Sequence, residues 1–303
     1  MSTVFGVVKV IAIVIVLLIV LSFVVDAALR LRMDTDVSVS TERGSADNGT
    51  LIVYLPGILA GGRASSVGFI DIWRRNSDLV LLVEYGDERF DGEFCAKVVA
   101  DAIQRQNAVT PFRRIVFIGS SMGGLLAYDV IRQLDVNTGS LEDTVSIELI
   151  ALDAPTSRTD FQPPNHLVAP VLRVLPFGPI WNRLNLIEKM FVPPKEENIE
   201  VGVDRAELAR RVDEGKNYRI SFWRDELVYI MTHGAPKYNA LEGRVDRLVY
   251  VRSTRDNDTV RPEAYNAWAA TTSVATRMEV DSTHVGFAER PKTWRQAFEK
   301  LLG

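Results

Sequence analysis

Gly119-Ser120-Ser121-Met122-Gly123-Gly124 sets a serine between glycines in the spacing G-x-S-x-G. A β-branched stretch, Ile115 to Ile118, runs directly into it, and a helical pattern, Leu125 to Leu134, leads directly away. Strand, sharp turn and helix in that order make a nucleophile elbow, whose glycines let the backbone turn tightly enough to expose the serine hydroxyl above the sheet. The bare five-residue pattern arises easily by chance, and it is the strand and helix around Ser121 that give it weight. A hydroxyl is a poor nucleophile until a histidine takes its proton, and that histidine needs a carboxylate to hold its tautomer and stabilise the imidazolium. His284, in Asp281-Ser282-Thr283-His284-Val285-Gly286-Phe287, follows the β-branched run Ala275 to Val280 and so ends a strand. His166 lies in a Pro-rich interval and His233 precedes a Gly-Ala-Pro turn, so neither is placed in this way. For the acid the sequence favours Asp258, in the loop Asp258-Thr259-Val260-Arg261-Pro262 after the run Leu248 to Val251, with Asp256 and Asp153 as the alternatives. Active sites of open α/β sheets lie at the carboxyl ends of strands, and all three acids meet that condition.

The elements that must carry these residues alternate. Short strand-like runs at Leu51 to Leu55, Leu79 to Val83, Ile115 to Ile118, Ser146 to Leu152, Leu248 to Val251 and Ala275 to Val280 are separated by helical patterns. Those patterns fall at Val67 to Arg75, Phe94 to Gln106, Gly123 to Leu134, Pro262 to Ala270 and Pro291 to Leu302. Alternation of this kind predicts an α/β fold with a doubly wound, mostly parallel sheet covered on both faces. Roughly ninety residues separate the strand ending near Asp153 from the one starting near Leu248, far more than a crossover helix needs. A cap or lid insertion is expected there, over residues 156–243, within a catalytic domain of residues 51–303. It holds an apolar stripe with Trp181, Leu184, Met190 and Phe191, a charged helix around Asp204 to Glu214 and an amphipathic one around Phe222 to Met231.

Ahead of this body lies a run from Val4 to Val25 in which Lys9 is the sole charge. Its length matches the ~20 residues that cross hydrocarbon as a helix, and it exceeds the ~7 to 15 of a signal-peptide core. We read residues 4–25 as a transmembrane helix and 26–50 as a linker with an edge strand near Val37 to Ser40. The rival reading is a signal peptide cleaved after Ala27. Lys9 and the amino terminus on one side stand against Arg30, Arg32 and Arg43 on the other, a balance that tilts towards a cytoplasmic body without fixing the side.

Composition removes other classes. Thirty-five Lys and Arg against 39 Asp and Glu leave a net charge of −4, without the basic excess that nucleic-acid binding uses. One cysteine, Cys95, and three histidines at scattered positions form no zinc-ligand pattern, so no metal is expected.

The elbow at Gly119 to Gly124, the D-x-V-x-P loop at Asp258 to Pro262 and the H-x-G-F segment at His284 to Phe287 together resemble the α/β-hydrolase superfamily over residues 50–303. The resemblance implies a Ser121, His284, Asp258 triad and an acyl-enzyme mechanism on carboxylic esters, with no cofactor. It also implies an oxyanion hole from the backbone N–H of Met122 and of Ile58 or Leu59, in the loop where Pro56 stands in place of the family's frequent histidine. The insertion falls where the family carries a helical cap, making Trp181, Leu184, Met190, Phe191 and Trp223 candidates for an acyl pocket. A cap this apolar beside a membrane helix suits a hydrophobic, lipid-like ester as substrate and membrane lipid as partner. A thioesterase, amidase or acyltransferase would share the chemistry, and a non-catalytic binding protein could share the fold. A dehalogenase-like enzyme needs an aspartate at the elbow, which Ser121 excludes.

Overall fold

The computed structural model describes residues 2–86, 88–136, 145–161, 168–186, 188, 194–214, 219–255 and 259–303. Its first element is α1 (Ser2–Arg30), which continues past the apolar run as far as Arg30. A helix apolar on every face has no single side to bury, and the valines, leucines and isoleucines from Val7 to Leu21 all stand exposed.

Seven strands follow, forming one sheet: β1 (Val37–Arg43), β2 (Thr50–Leu55), β3 (Leu79–Tyr85), β4 (Arg114–Ser120), β5 (Ser146–Leu152), β6 (Arg247–Ser253) and β7 (Ala275–Val280). Their spatial order is β1-β3-β2-β4-β5-β6-β7. Every neighbouring pair is parallel except β1 with β3, where Val39 stands opposite Val83 at the sheet edge. The period of two along β2 sorts its side chains: Leu51, Val53 and Leu55 enter the core on one face, Ile52 and Tyr54 the core on the other.

Helices α2 (Gly62–Ser66), α3 (Ile70–Arg75), α4 (Gly92–Val109) and α5 (Met122–Val136) lie in the first half of the sheet's connections. The helix expected over Val67 to Arg75 begins three residues later as α3, after Gly68, and a further short helix not expected from the sequence, α2, precedes it. Between β5 and β6 come α6 (Val168–Val174), α7 (Pro179–Asn182), α8 (Arg205–Glu214) and α9 (Ile220–Thr232), and the chain closes with α10 (Ala264–Ala269) and α11 (Pro291–Leu302). One face of the sheet packs on α4, α5 and α10 through Val99, Leu126 and Trp268; the other packs on α3 and α11 through Trp73, Trp294 and Phe298. The sheet is thus covered on both sides, as the alternating pattern requires.

α1 is not a free appendage. Ser22 and Phe23, then Asp26 and Arg30 at intervals of three to four, are the positions near its end that lose exposure. Phe23 stacks on Trp181 with ring centroids 4.8 Å apart. Asp26, fully buried, accepts the N–H groups of Gly178 (2.9 Å) and Ile180 (3.0 Å) at the start of α7. Arg30 pairs with Asp225 on α9 and donates to the carbonyl of Phe177 at 3.3 Å.

Candidate active site

The register of β4 against β5 sets up the site. Ser120 pairs with Leu152, so the next residue on each strand, Ser121 and Asp153, emerges side by side at the carboxyl edge of the sheet. Both turn into left-handed backbone, with φ of 51° and 46°. Neither is glycine, and such conformations in larger residues cost of order 1–3 kcal/mol and cluster at functional sites. The turn holds because its glycines let the strands and helix close in: a Cβ on Gly119 would lie 2.4 Å from Gly124 Cα, and one on Gly123 would lie 2.0 Å from the Leu55 carbonyl oxygen. Ser121 N–H donates to the Leu152 carbonyl at 2.7 Å, and α5 starts at the following residue, Met122.

His284 reaches this point from the loop after β7. Its Nε2 lies 3.0 Å from Ser121 Oγ, within hydrogen-bond reach. Its Nδ1 lies 3.6 Å from Oδ2 of Asp153. That separation is slightly beyond a hydrogen bond, as catalytic contacts in unliganded sites frequently are. Asp153 is fully buried; its Oδ1 accepts the Ser253 N–H at 2.8 Å and its Oδ2 the Val285 N–H at 3.4 Å. Burial raises the Asp153 carboxyl above the ordinary carboxylate range, against the pull of His284 and the hydrogen bonds from Ser253. Burial likewise lowers the His284 imidazole below its usual value, against the pull of Asp153. The imidazole is therefore neutral at pH 7, the state in which Nε2 can accept a proton.

Of the three acids weighed from sequence, Asp153 is the one that faces His284 among the described residues. Asp258 and Asp256 lie outside them, and so do His166, Met190 and Phe191. Thr259, immediately after, lines the cavity at Ser121.

That cavity has a volume of about 390 Å³ and is mostly apolar, with Tyr54, Ile58, Phe69, Phe161, Val285 and Phe287 in its wall. Trp181 and Trp223 do not line it. They pack instead with Phe177, Leu186, Leu59 and Ile58, against the outside of the loop that follows β2. Leu184 is exposed. These aromatics therefore pack on the loop after β2, and Phe177 and Trp181 also receive Phe23 of α1, while sheet loops and the segment around Phe161 shape the cavity.

The same loop carries the candidate oxyanion donors. Met122 N–H is in the first turn of α5, where helix geometry leaves donors unpaired and the helix dipole favours negative charge. Ile58 N–H has no hydrogen-bond partner among the described residues, whereas Leu59 N–H donates to the buried carboxyl of Glu226 on α9. Of the two residues left open by the sequence, Ile58 is thus the one with a donor to spare. Gly57 brings this loop against the nucleophile, since a Cβ there would lie 3.1 Å from Ser121 Cβ. Tyr85 fixes the loop's start by donating to the Pro56 carbonyl at 2.9 Å. Glu226 and Tyr85 were not singled out from sequence: a glutamate within an amphipathic helix reads as solvent-facing, and nothing local to Tyr85 points to Pro56. Among the described residues no group of three or more His, Cys, Asp or Glu side chains is arranged to hold a metal.

A mostly parallel sheet that delivers a serine on a left-handed turn to a histidine from beyond its last strand has the architecture of an α/β hydrolase. The model of the alpha/beta hydrolase family matches residues 52–297, and the chain belongs to that family. Comparison with the sequences of curated proteins finds no match. Among solved structures the chain is similar to a thermophilic esterase from Thermogutta terrifontis, at a TM-score of 0.60 and 14% identity, over 88% of this chain and 93% of that one. It is equally similar to an esterase from a Rhodococcus species, at 0.60 and 14%, over 88% and 94%. An enol-lactonase from Burkholderia xenovorans follows at 0.56 and 13%, over 88% and 96%. At these identities the likeness is one of fold.

Proposed function

We propose that the protein is a membrane-anchored serine hydrolase that cleaves carboxylic esters with a hydrophobic part, through an acyl-enzyme. The observation that carries this reading is the 3.0 Å contact between Ser121 Oγ and His284 Nε2 in an apolar cavity, with Asp153 behind the imidazole. In the first half-reaction Ser121 Oγ attacks the ester carbonyl while Nε2 takes its proton. The carbonyl oxygen gains the negative charge, and the N–H groups of Met122 and Ile58 receive it. Collapse of the tetrahedral species breaks the bond to the alcohol oxygen, to which His284 returns the proton. Water then repeats the sequence on the acyl-enzyme, releasing the acid and restoring the serine. Asp153 is the triad acid in this proposal, taking the place that the sequence reading gave to Asp258.

Two features support the membrane and hydrophobic parts of the reading. α1 contains a 25-residue segment, Gly6–Arg30, whose most apolar 18-residue window has a mean hydropathy of 3.3, and at 1.5 Å per residue the segment exceeds the ~30 Å of bilayer hydrocarbon. The end of α1 docks on α7, and Val171, Val174, Ile180 and Leu184 of α6, α7 and the turn after α7 are exposed. The esterase neighbours named above are in keeping with an ester as substrate.

The test is full-length protein in membranes of expressing cells, assayed with p-nitrophenyl esters of graded chain length and labelled with a fluorophosphonate. Wild type is expected to hydrolyse and to label, and Ser121→Ala to do neither while melting at the same temperature. Labelling of the alanine variant at the wild-type rate would move the nucleophile elsewhere. Release of the full-length chain by a carbonate wash would remove the anchor.

A further inference from the structure

Glu226 is a fully buried carboxyl that the chemistry above does not use. Its oxygens lie 3.2 and 3.1 Å from the backbone nitrogen of Leu59, so a single N–H is shared between them. The charged and titratable groups around it are Asp225 beside it on α9, Tyr85 of β3 and Cys95 of α4; none is a cation. Burial accordingly pushes the carboxyl well above its ordinary range. An unpaired acid in the interior is a burden on folding, and such groups are found where a site needs them.

The place it holds is a strained one. Leu59 has φ of 59°, in the left-handed region that a leucine rarely enters. The residue before it is Ile58, which lines the cavity at Ser121 and whose N–H has no hydrogen-bond partner among the described residues. A donor serves an oxyanion only if it is aimed before the charge appears, and a loop free to relax at the next residue cannot keep that aim. Tyr85 fixes the loop at the Pro56 carbonyl, one side of Ile58, and Glu226 fixes it at the Leu59 N–H, the other side. The Leu59 side chain, packed with Ile220, Trp181 and Trp223, adds an apolar contact to the polar one.

We propose that Glu226 is a positioning residue for the oxyanion hole: by holding the Leu59 N–H it keeps the loop in the strained form that aims the Ile58 N–H at the acyl oxygen. This rests on the serine hydrolase reading. Glu226 touches neither substrate nor nucleophile, and it acts through the loop alone. Its neighbour Asp225 is held by Arg30 of α1, by Arg224 and by the Phe90 N–H, so α9 is fixed on one side where it grips the loop on the other.

The experiment compares Glu226→Gln, Glu226→Asn and Glu226→Leu in the full-length protein in detergent, with kcat, KM and melting temperature measured on one p-nitrophenyl ester. Glutamine keeps an acceptor at the same reach, and its kcat is expected within threefold to fivefold of wild type. Asparagine carries the same amide one methylene short of Leu59, and leucine carries no acceptor. Both are expected to lose kcat, leucine by roughly the hundredfold or more that follows loss of one oxyanion donor, with KM nearly unchanged. If leucine prevents folding, the contrast between glutamine and asparagine decides. A purely structural glutamate would lower the melting temperature in both and leave kcat alone, which would overturn the proposal. So would a kcat that rises when Glu226 is removed, the result expected if Leu59 N–H were itself the oxyanion donor and Glu226 its blocker. Wild type that hydrolyses, beside an inert Ser121→Ala, separates failure of this inference from failure of the hydrolase reading.

Discussion

Asp153→Asn tests the proposed acid most directly, because the change keeps the size of the side chain and removes its charge. In the first half-reaction His284 becomes an imidazolium 3.6 Å from Asp153. At an effective dielectric of about 20, two unit charges at that separation attract by about 4.6 kcal/mol. Each ~1.36 kcal/mol is a factor of ten in rate, so loss of the attraction alone slows kcat by about three powers of ten. The tautomer adds to this. The Ser253 N–H keeps the asparagine carbonyl oxygen as its acceptor, which turns the NH2 group towards His284 Nδ1. Nδ1 then accepts, the imidazole proton moves to Nε2, and Nε2 can no longer take a proton from Ser121. An amide in place of a triad carboxylate has an overall effect of about 10⁴ in this chemistry. The assay is kcat on a p-nitrophenyl ester for Asp153→Asn beside Asp258→Asn, with melting temperatures as the check on folding. Removing a carboxylate whose burial already disfavours charge leaves the asparagine variant folded. An Asp153→Asn enzyme within tenfold of wild type, beside an Asp258→Asn enzyme slowed a thousandfold, would refute the assignment and move the acid to the loop after β6.

The lowered pKa of His284 gives a pH dependence of definite sign. Below it Nε2 is protonated and cannot act as base, so the acid limb of a kcat/KM profile should have its midpoint under the ordinary histidine value of 6.5. Since the unfolded chain protonates first, this histidine's contribution to stability is present above 6.5 and is lost as pH falls through the lowered value, which urea melts at several pH values would read. Truncation should depend on where the cut falls. A chain lacking residues 1–22 keeps Phe23, Asp26 and Arg30 on the cap and should retain the melting temperature and kcat of full-length protein in detergent. One lacking residues 1–32 leaves two α7 N–H groups uncapped and Asp225 without its Arg30 partner, each such loss being of order 1 to a few kcal/mol. It should melt several degrees lower, and equal melting of the two would mean that the docking contacts contribute nothing.

How much of this was legible beforehand depends on the range of the interaction that decides each feature. β4, the elbow and α5 were readable because a β-branched run, glycines with no room for a Cβ and a helical period are all local to residues 115–134. β2, β5 and β6 were readable for the same reason, their runs being largely apolar on both faces, and β7 from its short run between turns. The start of α3 was placed three residues early because Gly68 is tolerable in a helix on propensity alone, and α2, only five residues long, is too short to show a helical period. The acid is a different kind of problem. Asp153, Asp256 and Asp258 all follow strand-like runs in the sequence, and what brings Asp153 beside Ser121 is the pairing of Ser120 with Leu152, a register between strands that no local pattern encodes. Glu226 and Leu59 are 167 residues apart in sequence, and their hydrogen bond is equally invisible there.

The end of α1 did leave a trace in the sequence. A helix that merely crossed a bilayer would gain nothing from Asp26 one residue past its apolar run, with Arg30 one turn further on the same face. Placed at the boundary, both charges must be satisfied, and their partners are cap groups: the N–H pair opening α7, the Phe177 carbonyl and Asp225 of α9. Phe23 reaches Trp181 one turn earlier, and Trp181 belongs to the apolar cluster that also holds Ile58 and Leu59. The helix long and apolar enough to span a membrane therefore ends on the same two helices, α7 and α9, that pack on the loop after β2. A segment acting only as a tether needs a flexible linker and no fixed contacts with the body. Here polar and aromatic contacts hold the end of α1 on α7 and α9, which in the proposed membrane-anchored enzyme would fix how the body meets the bilayer.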